Sequence, residues 1–175
     1  MFGRRVRSWQ PADFPNLTYG ADRNHRITSC ARNGYNCIAW AADDPLNWWW
    51  PNCGEYWPTV PEEETLQAFV IAFESRNFAV CANGTPERGY EKVAIYTYKG
   101  VPTHAARQLR SGKWTSKLGP FEDISHKTPL DVGDGPPPDS YGRPEVYLRR
   151  KRRFIYRLRR YCRLMRRVLM DRGLI

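Results

Sequence analysis

A cysteine and a histidine in this chain have the types and the spacing that a cysteine hydrolase requires. Cys37 lies where a turn-forming stretch runs into apolar residues, and residues 36–42 are predicted to begin a short helix. His104 begins a predicted strand over 104–109. The N-terminus of a helix favours a thiolate, and an imidazole can accept and return its proton. The pair predicts attack by Cys37 on an amide or peptide bond, with His104 as the base.

An imidazole base is held in one tautomer by an acceptor on its other ring nitrogen. Asp123 is the candidate for this third position. Its neighbour Glu122 and the nearby His126 are alternatives. The predicted catalytic set is therefore Cys37, His104 and Asp123, with the third member open.

The turn at 111–112 decides which side chains face His104 from the next strand. With a two-residue hairpin loop, Lys117 shares the face of His104. A three-residue loop shifts the register and brings Ser116 there instead. Neither side chain is a common partner for a catalytic imidazole.

The spacing of apolar residues predicts the helices and strands that position these residues. This spacing changes along the chain from a helical to a strand period. Thr59 and Glu62 have capping-box spacing, which predicts a second helix over 60–75. The period then becomes two, which predicts strands over 78–81, 92–98, 104–109, 113–118 and 146–148, with a loop over 129–144. Helices followed by an antiparallel sheet are typical of an α+β fold.

The length of 175 residues favours one domain with flanking segments. Residues 1–28 are polar and rich in turn-forming residues. We expect them to run over the surface of the domain and call them the strap. Residues 29–150 carry the predicted α+β domain. Residues 151–175 predict a basic, amphipathic helical tail.

The formal charge of +10 belongs to the C-terminal part of the chain. Residues 145–175 hold twelve Lys or Arg and two acidic residues, whereas residues 1–144 hold sixteen of each sign. The arginine-rich stretch 149–167 is a candidate for binding nucleic acid or an anionic surface. An apolar stripe at heptad spacing is a candidate for self-association or for packing on the domain: Ile155, Leu158, Cys162, Met165 and Leu169.

An indole-rich loop follows the first helix, over 48–57. Its tryptophans could form a rim that contacts substrate, because an indole offers a large stacking surface. Alternatively, they cover the sheet as part of the core.

Cysteine spacing and hydropathy exclude several classes of protein. The five cysteines are odd in number and form no CxxC pair, and no histidine stands beside them at zinc-ligand spacing. We therefore expect no disulfide framework, no metal and no organic cofactor. The basic N-terminus has no apolar signal region after it, and no run reaches the ~20 apolar residues of a membrane span. A cytoplasmic location is expected, in which Cys37 stays a thiol.

Three strings in this chain resemble an uncharacterised family of small, mostly bacterial domains: Asn36-Cys37-Ile38-Ala39-Trp40-Ala41, Thr103-His104-Ala105-Ala106-Arg107-Gln108 and Trp114-Thr115-Ser116-Lys117-Leu118-Gly119. The resemblance covers roughly residues 20–150. The order of the motifs is similar to that of papain-like hydrolases of the NlpC/P60 and CHAP groups, in which a cysteine at a helix start precedes a strand histidine. The resemblance implies a papain-like fold, with N-terminal helices packed on an antiparallel sheet, and a cysteine peptidase or amidase activity.

Two hypotheses for the function follow. In the first, the chain is a cysteine hydrolase that uses a Cys-His dyad or triad. In the second, it is a non-catalytic binding protein on a similar scaffold, and its basic C-terminal helix engages nucleic acid or an acidic partner. A hydrogen bond between Cys37 and His104 in an open groove would favour the first.

Overall fold

The protein is built around one antiparallel sheet of seven strands. The computed structural model describes Leu17 and residues 23–137 and 140–152. The strands are β1 (His25–Ile27), β2 (Ala79–Cys81), β3 (Tyr90–Tyr98), β4 (Val101–Gln108), β5 (Trp114–Lys117), β6 (Asp123–His126) and β7 (Arg143–Lys151). Their order across the sheet is β1-β6-β5-β4-β3-β7-β2, and all neighbours are antiparallel.

Two short helices lie before the long strands. The residue before each helix caps its N-terminus with a side-chain oxygen. Helix α1 (Cys37–Ala41) begins after Asn36, whose side-chain oxygen accepts the N–H of Ala39 at 3.1 Å. Helix α2 (Leu66–Glu74) begins after Thr65, whose hydroxyl accepts the N–H of Ala68. Such caps satisfy N–H groups that have no partner within the helix.

The predicted start of the second helix is wrong by several residues. The chain over 60–64 is not helical, and Thr65 takes the capping role expected of Thr59. Pro61 explains the difference, because a proline disfavours helical backbone at the residue before it, here Val60. The capping-box spacing at Thr59 and Glu62 was therefore fortuitous.

The two faces of the sheet carry separate core clusters. On one face, α1, α2 and tryptophans of the indole loop pack on Ile95, Ala105 and Leu148. On the other face, loops pack on a second set of side chains: Ala94, Tyr96, Ala106, Trp114, Leu118 and Ile124. Because neighbouring residues of a strand point to opposite faces, Ala105 and Ala106 belong to different clusters.

The predicted papain-like α+β fold, with N-terminal helices and a C-terminal helix, is contradicted by this architecture. The described chain is mainly sheet, and its two α-helices have five and nine residues. Strands β1 and β6, which pair with each other, extend the sheet beyond the predicted strands. Their sequences, His-Arg-Ile and Asp-Ile-Ser-His, hold one apolar residue each and so give no period-two pattern.

The ends of the chain differ from the prediction in a further respect. Residues 25–27, placed in the strap, form an edge strand of the sheet. Strand β7 continues through Lys151, the first residue of the predicted tail. The rest of the strap apart from Leu17, residues 23–24 and Thr28, the helix expected after Arg152, and its stripe of Ile155, Leu158, Cys162, Met165 and Leu169 lie outside the described residues.

In the part of the chain that the structure describes, no helix is long and apolar enough to cross a membrane.

Candidate functional site

Cys37 occupies the first position of α1, as predicted, but its side chain is buried. It is 6% exposed and belongs to the cluster that contains Ala105. Burial raises the pKa of the thiol to about 11, and backbone N–H groups, first that of Ala105, oppose this rise only in part. Cys37 is therefore a protonated thiol at neutral pH, whereas a nucleophile needs a thiolate.

His104 lies on β4 with its side chain on the opposite face of the sheet. Its ring stacks on Tyr141 and meets the edge of Tyr96, both from the second cluster. The imidazole is fully buried, and burial together with the nearby His126 holds its pKa well below the ordinary value. His104 is consequently neutral.

Ser116 joins His104 to His126 through its hydroxyl. The Ser116 Oγ lies 2.9 Å from Nε2 of each imidazole, and Nδ1 of His126 lies 2.7 Å from the carbonyl oxygen of Thr128. A carbonyl only accepts, so His126 must donate from Nδ1 and accept from Ser116 at Nε2. Ser116 in turn accepts from Nε2–H of His104. This one-way chain leaves Nδ1 of His104 unprotonated and, within the described residues, without a hydrogen-bond partner.

The register of the β4–β5 hairpin explains why Ser116 is present there. The N–H of Leu109 donates to the carbonyl of Lys113 at 2.7 Å, which closes a three-residue loop over 110–112. Arg107 accordingly pairs with Thr115. Of the two loop lengths that the sequence left open, the structure has the three-residue one, and Ser116, not Lys117, shares the face of His104.

Asp123 is buried on β6, where its carboxylate holds the chain that leads into α1. It accepts the hydroxyl of Ser29 at 2.6 Å and that of Tyr35 at 2.8 Å through the same oxygen. Burial first, and then Asp123, raises the pKa of Tyr35 to about 12. Asp123 thus orients Tyr35 and Ser29, and it makes no hydrogen bond to His104.

Lys117 is fully buried beside this carboxylate. Its Nζ donates to the carbonyl oxygen of Phe121 and lies over the ring of Tyr35, 5.5 Å from the centroid. Burial lowers the pKa of the amine, and Asp123 is the first of the charges that oppose this. The ammonium partly balances the Asp123 carboxylate, so this polar cluster has a structural explanation.

The predicted catalytic residues are thus all buried, but the structure does not join them by hydrogen bonds. Nε2 of His104 bonds Ser116, its Nδ1 has no partner in the described chain, and the Asp123 carboxylate bonds Tyr35 and Ser29. Cys37, on α1, packs in the cluster of Ala105, and the side chain of His104 lies on the other face of β4. Within the described residues, no imidazole forms a hydrogen bond with the Cys37 thiol.

The indole loop packs as part of the core. Trp49 is fully buried and donates from its indole N–H to Asp44 at 3.0 Å, while Trp57 packs on Phe69 of α2 with ring centroids 5.0 Å apart. Trp50 meets the edge of the same phenylalanine. Trp49 and Trp57 thus belong to the core with α1 and α2, while Trp48 and Trp50 are half-buried.

A groove of about 460 Å³ lies at the end of the sheet near the ends of β4 and β7. We call it the basic groove; it is lined by residues 86–90, residues 108–110 and Arg152. Arg88, Arg110 and Arg152 contribute three positive charges, and Glu87 is the one carboxylate among the lining residues. Sequence reasoning missed this feature, because Arg88 and Arg110 stand alone in loops and belong to no motif.

The first residues of the arginine-rich stretch belong to β7 and form ion pairs beside this groove. Nη1 of Arg149 donates to both carboxylate oxygens of Glu87, at 2.6 and 2.7 Å. Nε of Arg150 donates to Glu91 at 2.5 Å. The acidic side chains near the groove are therefore already engaged by β7.

The described residues offer no group of three His, Cys, Asp or Glu side chains that could hold a metal ion.

Comparison with known proteins gives one match. A family model described as a domain of unknown function (DUF7689) matches residues 26–149, about seven-tenths of the chain. The match includes α1, α2 and nearly all of the sheet. Neither the curated proteins nor the solved structures gave a match.

Proposed function

We propose that this chain, which belongs to the DUF7689 family of domains of unknown function, is a non-catalytic protein that binds nucleic acid. The binding element is the stretch 149–167, which we call the basic segment. The first three residues of this segment belong to β7 of the sheet. The observation that carries the proposal is the separation of charge between the two parts of the chain.

Residues 1–144 carry equal numbers of acidic and basic residues, so they produce no net attraction for a polyanion. The net charge of +10 resides in residues 145–175. A local excess of this size attracts phosphates and releases their counterions, which gives strong, salt-dependent binding.

The composition of this part of the chain favours phosphate as the partner. Of its twelve basic residues, eleven are arginine and one is lysine. A guanidinium has a planar set of donors that binds phosphate oxygens two at a time, whereas an ammonium acts as a point charge.

Ion pairs hold the first two residues of the basic segment on β7. Arg149 and Arg150 are held by Glu87 and Glu91, which lie on or next to β3. The described part of the segment, residues 149–152, therefore lies beside the basic groove.

The hydrolase hypothesis stays a prediction with weaker support. It requires a thiolate at Cys37 and an imidazole in contact with it. Burial raises the pKa of Cys37 to about 11, and the imidazole of His104 bonds Ser116 instead. Both observations favour binding over catalysis.

The test is fluorescence anisotropy with a labelled single-stranded oligonucleotide and the full-length protein. Replacement of Arg157, Arg159 and Arg160 by Gln should weaken binding and lower the slope of log K against log salt by about 2, since each lost phosphate contact removes about 0.7. The matched control replaces Arg23, Arg26 and Arg32, which are exposed in the edge strand β1 or within five residues of it in the sequence, and should bind like the unmodified protein.

Equal weakening by the two triple variants would contradict the proposal, because net charge alone would then explain binding. A protein that binds vesicles of phosphatidylserine but no oligonucleotide would also contradict it and would identify an anionic lipid surface as the partner.

A further inference from the structure

We propose that the basic groove is a phosphate-binding site, in which the folded domain holds the backbone of the nucleic acid next to the basic segment. This inference rests on the proposed function and adds a second contact region, located at the end of the sheet. It also assigns roles to Arg88 and Arg110, which the basic segment alone leaves unexplained.

Two of these guanidinium groups have no partner in the described structure. Arg88 and Arg110 are exposed, and within the described residues neither makes an ion pair or a hydrogen bond through its side chain. Paired surface arginines would have to break a contact before they bind an anion. Arg88 and Arg110 can bind one without that cost.

The carboxylates nearby are occupied. Glu87, which lines the groove, accepts two hydrogen bonds from Arg149 and lies 3.8 Å from Nζ of Lys92. Glu91 accepts from Arg150 and lies 3.9 Å from Arg152. Glu91 thus partly balances Arg152, whereas within the described residues no carboxylate pairs with Arg88 or Arg110.

Arg152 is held in place at the wall of the groove. Its backbone N–H donates to the carbonyl of Gly89 at 2.8 Å, and its guanidinium donates to the carbonyl of Gln108 at 3.3 Å. Burial lowers the pKa of Arg152; Glu91 opposes this, while Arg110 and Arg107 add to it. Positive groups are crowded here, and a bound phosphate would relieve their repulsion.

The size of the groove suits one phosphate with its sugar. Small-molecule sites in proteins have volumes of about 300–1,000 Å³, and the basic groove lies within this range. Its openness to solvent allows a chain to enter and leave. A backbone phosphate of a nucleic acid strand fits these features.

The experiment uses the full-length protein and compares two double variants by anisotropy with the same labelled oligonucleotide. Replacement of Arg88 and Arg110 by Gln should lower the affinity roughly tenfold at about 0.1 M salt and should reduce the salt slope by about 1.4. The control replaces Arg23 and Arg26, which are exposed at the far edge of the sheet, by Gln. The control should leave both quantities unchanged.

The outcomes separate this inference from the proposed function. If the Arg88 and Arg110 variant binds like the control while the basic-segment variant is weakened, the groove is not a phosphate site and the proposed function stands. If the unmodified protein binds no oligonucleotide, the proposed function fails and the inference fails with it. Urea denaturation of each variant establishes that a loss of binding does not come from unfolding.

Discussion

The ring of Tyr141 lies flat on the imidazole of His104, with centroids 3.9 Å apart and planes 8° from parallel. This stack closes one side of the imidazole and excludes water from it. Tyr96 meets His104 at its edge, 5.2 Å between centroids. A charged imidazolium in this position would lose its hydration without gaining a carboxylate, so the packing selects the neutral ring.

Acid should therefore destabilise the protein through its buried histidines. Burial lowers the pKa of His126 to about 4 and that of His104 well below its ordinary value. Because the unfolded chain binds protons at about 6.5 and the folded one does not, stability is fully present above pH 6.5 and falls as the pH drops towards 4. His126 alone should account for about 3 kcal/mol of this loss.

Urea denaturation at a series of pH values measures the effect. The variant His126→Gln has an amide that can still accept from Ser116 and does not titrate. Its free energy of unfolding should change less between pH 7 and pH 4 than that of the unmodified protein. Asp44, whose pKa is lowered by its hydrogen bonds and by Arg76 despite burial, contributes its own loss only at lower pH. A stability that is constant from pH 7 to pH 4 would refute the burial argument.

Cys37 should react with iodoacetamide slowly in the folded protein. Its thiol is buried with a pKa of about 11, whereas Cys30 and Cys53 are exposed. We expect Cys37 to be modified at least roughly tenfold more slowly than those two cysteines at neutral pH, because both access and thiolate fraction are low. Peptide mapping by mass spectrometry after timed labelling gives the rates.

Labelling in urea provides the control, since Cys30, Cys37 and Cys53 should then react at similar rates. If Cys37 reacts fastest in the folded state, and with a rate midpoint below pH 8.5, the hydrolase hypothesis would regain its main support.

Five of the seven strands could be predicted from the sequence, in whole or in part, and β1 and β6 could not. The strand predicted over 92–98 lies within β3, whose residues 91–97 are buried. Strand β1 has three residues, and its place in the sheet comes from pairing with β6, almost a hundred residues away. Local patterns do not encode such long-range pairing. The helix bounds were misjudged at Pro61 because a spacing motif was weighed without the backbone restriction imposed by proline.

The residue types and elements of Cys37 and His104 could be predicted from the sequence. The sequence did not show on which face of the sheet each side chain lies. Cys37 does stand at a helix start, and His104 does stand on a strand. Helix α1, however, packs on the face that carries Ala105, one residue along from His104. A difference of one residue in a strand reverses the direction of a side chain, and no pattern in the sequence specifies which face the helix covers.

Gly142 should be essential for the loop that carries Tyr141. Its φ is +73°, and a Cβ at this position would lie 2.0 Å from the carbonyl oxygen of Thr97. Gly142→Ala should therefore lower the free energy of unfolding by about 3 kcal/mol or more, from backbone strain and a clash with β3. Urea denaturation at pH 7 measures this.

Gly54 provides the matched comparison, because its φ is +74° and a Cβ there would meet nothing within 4 Å. Gly54→Ala should cost only about 1 kcal/mol, the strain of the left-handed backbone. Equal losses in the two variants would show that the close approach to Thr97 does not constrain the loop.

Asn36 should stabilise the protein more than an ordinary helix cap does. Its side-chain oxygen accepts the N–H groups of Ala39 at 3.1 Å and of Trp49 at 3.3 Å, and its amide donates to the carbonyl of Trp49 at 2.7 Å. The side chain is buried, so Asn36→Ala leaves three backbone groups without their partner. We expect a loss of about 3 kcal/mol, measured by urea denaturation.

Thr65→Ala is the control for this variant, since Thr65 caps α2 through one hydrogen bond, to the N–H of Ala68 at 3.2 Å. Its loss should be about 1 kcal/mol, the usual value for a cap. The difference between the two variants measures what Asn36 contributes by joining α1 to the indole loop. If Asn36→Ala costs no more than Thr65→Ala, the two bonds to Trp49 contribute little, and the indole loop must be held on α1 by packing alone.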